Sequence, residues 1–268
     1  MSDLTLNIAA VRQTLTDFIR AQVTGAGLSR AVLGLSGGID SALSCWLAAE
    51  ALGPQNVLAV RMPYRTSAPD SLEDAQRLID ATGVQALTIP ITPMVEPLFE
   101  RFPEMSAVRR GNIMARTRMV ALFDQSAAFG ALVVGTGNKT EALLGYTTLY
   151  GDSACAFNPL GDLYKTQVRQ LSRALGLPAS ILEKAPSADL WQGQTDEGEL
   201  GFTYAEVDRL LFQLVDERRT PEECLAAGFD PGFVQAVIHR VRRNRFKAQL
   251  PPVPQINAHP TSEELLFI

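Results

Sequence analysis

Histidine is nearly absent: His239 and His259, both close to the C-terminus, are the two histidines among 268 residues. A reaction centred on an imidazole acid or base is therefore disfavoured. Cysteine is scarce as well. Cys45, Cys155 and Cys224 are odd in number and form no Cys-x-x-Cys pair, which excludes a disulfide framework and a zinc site and indicates a reducing compartment. Cys45, within an apolar helical pattern, reads as a small core residue. There is no excess of positive charge: 24 Lys and Arg stand against 29 Asp and Glu, a net charge of -5. That balance argues against a nucleic-acid partner, whose phosphates favour a basic face. No apolar run approaches the roughly 18 residues of a membrane span, and no cationic leader precedes an apolar segment, so neither membrane insertion nor export is expected and the chain reads as cytoplasmic. Finally, no lysine lies between Arg30 and Ala51. The glycine-rich stretch there is thus not a Walker loop, and it does not spell Gly-x-Gly-x-x-Gly either.

What that stretch does spell is Gly34-Leu35-Ser36-Gly37-Gly38-Ile39-Asp40-Ser41, directly after the apolar run Ala31-Val32-Leu33. A short strand, a glycine turn and an amphipathic segment from Ala42 make an anion loop that opens a helix. The Ser36 and Ser41 hydroxyls and the Gly37 and Gly38 N–H groups can wrap a pyrophosphate, and Asp40 can hold the Mg2+ that neutralises it. Two serine caps around a tight turn is the plain alternative. Ser-Gly-Gly-x-Asp-Ser resembles the signature of the ATP pyrophosphatases, which split ATP into AMP and pyrophosphate.

With 46% hydrophobic residues, a chain of this length buries a large core and fits one α/β domain over 1–268, with 251–268 as a proline-containing tail. Strand and helix patterns alternate, which predicts a Rossmann-like, doubly wound parallel sheet with helices on both faces. The expected strands are 30–35, 57–61, 84–89 and 131–135. Helices are expected over 3–23, after a cap at Ser71, over 112–129 and 160–175, and from Pro231 onward. Loops at the strand C-termini should build the crevice.

Three further motifs fall there. Gly135 to Glu141 follows the fourth strand; Thr136 offers a hydroxyl to a nucleotide, and Glu141 is a hard oxygen ligand that can complete a metal site with Asp40. Taken alone, Glu141 would read as a solvated helix residue. Gly145 to Asp152 is rich in aromatic and hydroxyl groups, suited to cradling a ring and sugar. Lys165 opens a helix, where a cation is disfavoured unless an anion lies near, and an ATP phosphate supplies one; the alternative is a surface lysine. The polar stretch from Ser187 to Gly201, with Asp189, Trp191, Asp196 and Glu197, suits a loop that closes over a reactive intermediate, or else a plain surface loop.

Together these motifs, with Arg61-Met62-Pro63-Tyr64, Ala115 to Met119, Leu163 to Thr166 and Ser187-Ala188-Asp189-Leu190, resemble the NAD synthetases over residues 8–252. The resemblance implies the adenine nucleotide alpha hydrolase-like fold and a two-step reaction. Deamido-NAD attacks ATP to give an adenylate and pyrophosphate, and ammonia then displaces AMP. It further implies ATP contacts at Gly34 to Ser41, Arg61, Thr136, Lys165 and Ser187, magnesium ligands at Asp40 and Glu141, deamido-NAD contacts at Arg116 and Lys247, and a homodimer. Leu149, Ala156 and Phe246 depart from many free-standing members. The wording of 145–152 is closer to glutamine-dependent members, in which Tyr146, Thr147, Thr148 and Leu149 would line the deamido-NAD site.

Arg240, Arg242, Arg243 and Arg245 share a helix with Lys247; of these, Arg240 and Arg242 read as solvated. No Glu, Lys and Cys constellation for glutamine hydrolysis precedes the synthetase region, so free ammonia is the expected nitrogen source, with a separate glutaminase subunit as the alternative. Two other classes stay open. An RNA-modifying ATP pyrophosphatase would bind tRNA, and a nucleotide sensor would keep the loop without turnover.

Overall fold

The protein is described by a computed structural model covering residues 4–187, 194–249, 251, 252 and 254. Four parallel strands, β1 (Ala31–Gly34), β2 (Val57–Arg61), β3 (Gln85–Thr88) and β4 (Leu132–Val133), form a sheet in the order β3-β2-β1-β4. Ala31 pairs with Val57 on one side of β1 and with Leu132 on the other. The chain therefore runs outward from β1 in both directions. The crevice at such a topological switch lies outside the C-terminal ends of β1 and β4, where the residue 34–41 and 135–141 loops emerge. A single parallel bridge, Val134 to Phe157, extends the sheet beyond β4.

Alternation along β1 explains the helices on both faces, because successive side chains point to opposite sides of a strand. Ala31 and Leu33 pack with α1 (Ile8–Gly25), α2 (Ile39–Leu52), α3 (Pro69–Thr82) and residues of two later helices. Val32, with Leu58 and Val60 of β2, packs instead on α4 (Thr92–Arg101) and α5 (Ala107–Phe129). A third cluster lies apart from the sheet. It joins Leu144 of α6 (Lys139–Leu144) and Tyr164, which precedes α7 (Lys165–Ala174), to residues of four later helices. After α8 (Ala179–Glu183) come α9 (Asp196–Leu200), α10 (Tyr204–Leu211), α11 (Pro221–Ala226) and α12 (Pro231–Asn244). No helix among the described residues is long and apolar enough to cross a membrane.

The doubly wound parallel sheet matches the alternation in the sequence, and Val57–Arg61 coincides with its expected span. Several boundaries differ for physical reasons. α1 starts at Ile8, where the Asn7 side chain accepts from the Ala10 N–H. α3 starts at Pro69 rather than after a Ser71 cap: proline fits a first helical turn, and Ser71 lies inside the helix and buried. α5 begins at Ala107, capped by Ser106. α7 begins at Lys165, because Gly161 and its neighbours form turns. Cys45 is fully buried, and burial pushes its thiol up to about 12.

Candidate active site

The β1 loop is shaped by its own serines. The Ser36 and Ser41 hydroxyls lie 3.0 Å apart, Gly38 N–H donates to Ser36 Oγ at 3.2 Å, and Ser41 Oγ donates to the Gly38 carbonyl at 3.0 Å. Gly37 sits at φ +82°, and a Cβ there would come 2.1 Å from the Ser71 carbonyl oxygen, so the turn needs glycine and packs directly on α3. α2 begins at this turn and carries Asp40 in its first turn, where a carboxylate complements the helix dipole.

Across the switch point, Asn138 caps α6. Its Oδ1 accepts from Glu141 N–H at 2.9 Å, while Glu141 Oε2 accepts from Asn138 N–H at 3.2 Å, a reciprocal capping box. The same Asn138 side chain, fully buried, donates from Nδ2 to Asp40 Oδ1 at 2.9 Å. Asp40 and Glu141 thus arrive at one place from two loops.

Lys165, 3% exposed, completes the constellation. Its ammonium bonds Asp40 and reaches Glu141 Oε1 at 3.3 Å. Burial pulls the lysine down, but the two carboxylates more than reverse this, so it stays protonated. Burial pushes Glu141 up, to about 8, against the pull of Lys165 and with a further push from Asp40. One ammonium therefore lies between two carboxyl groups, of which Glu141 is pushed towards its protonated form.

The Lys165 backbone is held too. Its N–H donates to Thr140 Oγ1 at 3.0 Å, Thr140 donates to buried Asp208 at 2.6 Å, and the Thr166 N–H donates to the other Asp208 oxygen at 2.8 Å. Burial raises the Asp208 carboxyl against those hydrogen bonds. Above the lysine lies the Tyr204 ring, 5.1 Å from the ammonium. The Tyr204 hydroxyl donates to Asp196 at 3.1 Å, and Tyr146 bonds both Asp196, at 3.2 Å, and Glu199. Burial raises the Asp196 carboxyl, opposed by Lys165.

A cavity of about 690 Å³ joins these groups, large enough for an extended nucleotide ligand. Its wall includes Gly34, Leu35, Ser36, Gly38, Ile39, Asp40 and Ser41 of the first loop, and Thr136 and Glu141 of the second. Tyr146, Thr147, Thr148, Lys165, Ser187, Asp196 and Lys247 also line it. Lys247 braces the third motif, donating to the Gly145 and Thr147 carbonyls at 2.8 Å each.

Other expected contacts lie off this wall. Gly37 faces Ser71 of α3. Arg61 donates to Gln76 at 2.6 Å, Arg116 donates to the Leu149 carbonyl at 3.2 Å from an exposed position, and Glu197 accepts from the Tyr204 N–H at 3.0 Å. None of these, nor Leu149 itself, lines the cavity among the described residues. Asp189 and Trp191 lie outside the described residues. Arg240 corrects the sequence reading. It is half-buried on the cavity wall rather than solvated, because α12 turns that face towards Tyr146. Sequence reasoning also passed over Asn138, Asp208, Glu199 and Tyr204. Only Asn138 carried a local signal, the Asn-x-x-Glu spacing of a capping box.

The model for NAD synthase matches residues 11–251. The chain belongs to the NAD synthase family. An NH3-dependent NAD+ synthetase of Trichlorobacter lovleyi is 54% identical over 267 residues, covering 100% of this chain and 98% of that protein. One from Fusobacterium nucleatum is 49% identical, covering 96% and 99%. Among solved structures, the NH3-dependent NAD synthetase of Campylobacter jejuni has a TM-score of 0.80 at 35% identity, covering 93% of this chain and all of that one. An NMN synthetase from Francisella tularensis has a TM-score of 0.83 at 32% identity, covering 94% and 100%. NAD synthases are ligases whose reaction is the ATP-driven amidation of deamido-NAD, and these relatives share the adenine nucleotide alpha hydrolase-like fold.

Proposed function

We propose that this protein is an ammonia-dependent NAD synthetase whose reaction runs over the Asp40, Glu141 and Lys165 centre. The observation that carries the reading is that a buried ammonium is held between two carboxylates at the mouth of a Ser-Gly-Gly loop. In the first step, a nicotinate carboxylate oxygen of deamido-NAD attacks the ATP α-phosphorus, and the bond to the pyrophosphate breaks. The work is positioning and charge neutralisation, and no covalent nucleophile of the protein is needed. The residue 34–41 loop would receive the leaving pyrophosphate, and Lys165 would face the α-phosphate, with Thr136 and Ser187 as further ATP contacts.

Mg2+ fits the donor set. Asp40 and Glu141 supply two hard oxygens, a cation bound between them would favour the ionised form of Glu141, and magnesium is commonly held by one or two carboxylates with phosphate and water completing the shell. Among the described residues no third metal-ligating side chain of this kind converges there. Bound there, the ion would neutralise the phosphates and act as a Lewis acid.

In the second step ammonia attacks the carbonyl carbon of the adenylate and AMP departs. Asp196, raised by burial and bonded to two tyrosine hydroxyls, would take the proton that the attacking ammonia gives up as the C–N bond forms. Tyr146, Thr147, Thr148 and Lys247 would face deamido-NAD. The family resemblance is the basis for reading the protein as a homodimer, and exposed Val120 and Phe123 within the apolar pattern of α5 offer a face that a second protomer would bury; Arg116, outside the cavity, would then meet substrate where the second protomer closes the site. Three free thiols suit the cytoplasm.

The test mixes purified protein with ATP, Mg2+, deamido-NAD and ammonium and follows NAD and pyrophosphate. Equal release of the two supports the reading, and pyrophosphate without NAD, or neither, defeats it. A parallel arm with nicotinate mononucleotide shows whether the dinucleotide is required.

A further inference from the structure

With Arg118, Arg169 and Lys184, Arg240 is one of the cations on the cavity wall that the scheme above does not use. Its guanidinium lies over the Tyr146 ring, 5.8 Å from the centroid, and its Nε is buried with no hydrogen-bond acceptor among the described residues. It makes no ion pair among them either, unlike Lys165 and Lys139, each of which bonds two acids. Nearby is a second cation. Lys247 spends two protons on the Gly145 and Thr147 carbonyls, and its field and that of Arg240 oppose each other. Among the described residues the acid acting on Lys247 is Asp152, which is occupied by Thr147 Oγ1 at 2.8 Å and by the Thr148 N–H at 2.7 Å.

Two like charges facing one wall, one with a buried unsatisfied donor, are a costly arrangement unless an anion completes it. We propose that Arg240, with Lys247 beside it, is the subsite that takes a phosphate of the dinucleotide substrate. The inference rests on the NAD synthetase reading and adds a contact to it. Deamido-NAD carries two kinds of anion, its phosphates and the nicotinate carboxylate, and the geometry favours the phosphate. The carboxylate is the nucleophile, and a guanidinium clamped to it would withdraw the electron pair that has to form the bond to phosphorus. Adenylation also removes the carboxylate charge, whereas the phosphate stays charged throughout. Moreover, Arg240 is on the face of Tyr146, while the hydroxyl of that ring leads through Asp196 towards the Lys165 centre. A guanidinium fork suits phosphate, and its stacking on an aromatic ring fixes its plane.

The two anions are separated by using the product as a ligand, because NAD keeps both phosphates and has lost the carboxylate. Titration calorimetry of deamido-NAD, NAD and ATP against the wild type, Arg240→Met and Arg240→Lys provides the test. Methionine keeps an apolar stem over Tyr146, and lysine keeps the charge, so both variants retain the packing; circular dichroism checks the fold. Arg240→Met should weaken deamido-NAD and NAD by the same factor, roughly 10- to 100-fold, with ATP unchanged and with partial recovery in Arg240→Lys. Loss confined to deamido-NAD assigns the carboxylate instead and overturns the proposal. Unchanged affinity for both dinucleotides in folded Arg240→Met overturns it as well. If the wild type binds neither dinucleotide, the NAD synthetase reading itself falls, an outcome visible before any variant is compared.

Discussion

Asn138 Nδ2 donates to Asp40 Oδ1 at 2.9 Å, tying the loop after β4 to the first turn of the helix after β1. Because Asn138 also caps α6 through Glu141, a single amide sets the spacing of both carboxylates around Lys165. Asn138→Ala should therefore lower turnover more than stability. A lost N-cap costs about 1 kcal/mol, while misplaced carboxylates act on the transition state. The expected result is at least a tenfold fall in kcat, roughly 1.4 kcal/mol, with a modest fall in Tm. An equal and small effect on both would remove Asn138 from its positioning role.

Asp40→Asn should leave the fold intact and reduce NAD formation at least about a hundredfold, since a charge lost at a metal and phosphate site costs several kcal/mol of transition-state stabilisation. Near-normal turnover by the folded variant would contradict the placement of Asp40.

Gly37→Ala puts a methyl group 2.1 Å from the Ser71 carbonyl, on a backbone at φ +82°. Strain of this kind costs on the order of 1 to 3 kcal/mol, and α3 or the loop has to move to relieve it. ATP binding should weaken by tenfold or more while affinity for NAD changes little. Unaltered ATP affinity in calorimetry would show that the loop does not hold the phosphates.

The Glu141 carboxyl gives stability a sign with pH. Its folded value, about 8, stands above its ordinary 4.5, so the folded state holds the proton more tightly. That contribution is fully present below about 4.5 and is lost as pH rises through about 8. In the absence of nucleotide and metal, Tm should fall across this window in the wild type and fall less in Glu141→Gln. Parallel curves for the two proteins would refute the assignment.

Ammonia attacks as NH3, which is scarce near neutral pH, so the rate at fixed subsaturating ammonium should climb from pH 7 towards about 8 to 9 until other groups titrate. Glutamine should not replace ammonium with the pure protein. Equal rates with the two donors, after contaminating glutaminase is excluded, would overturn the ammonia-dependent reading.

The sequence by itself determined the local chemistry. The apolar run Ala31 to Leu33, the Ser36 to Ser41 loop and the alternation of strand and helix patterns are each written in consecutive residues, and each specifies its element through short-range sterics and periodicity. The same holds for Lys165 at a helix start and for the Asn138 to Glu141 cap. What only the tertiary structure decided is which of these meet. Lys165 and Asp40 are 125 positions apart, Asn138 and Asp40 are 98 apart, and Thr140 and Asp208 are 68 apart; no spacing rule links such pairs, because strand order and helix packing bring them together. Arg240 shows the same limit from the other side. Its neighbours in sequence are basic and solvated in pattern, and it became a wall of the cavity only because α12 packs against α6, with Asn244 of α12 donating to the Leu144 carbonyl at 3.0 Å.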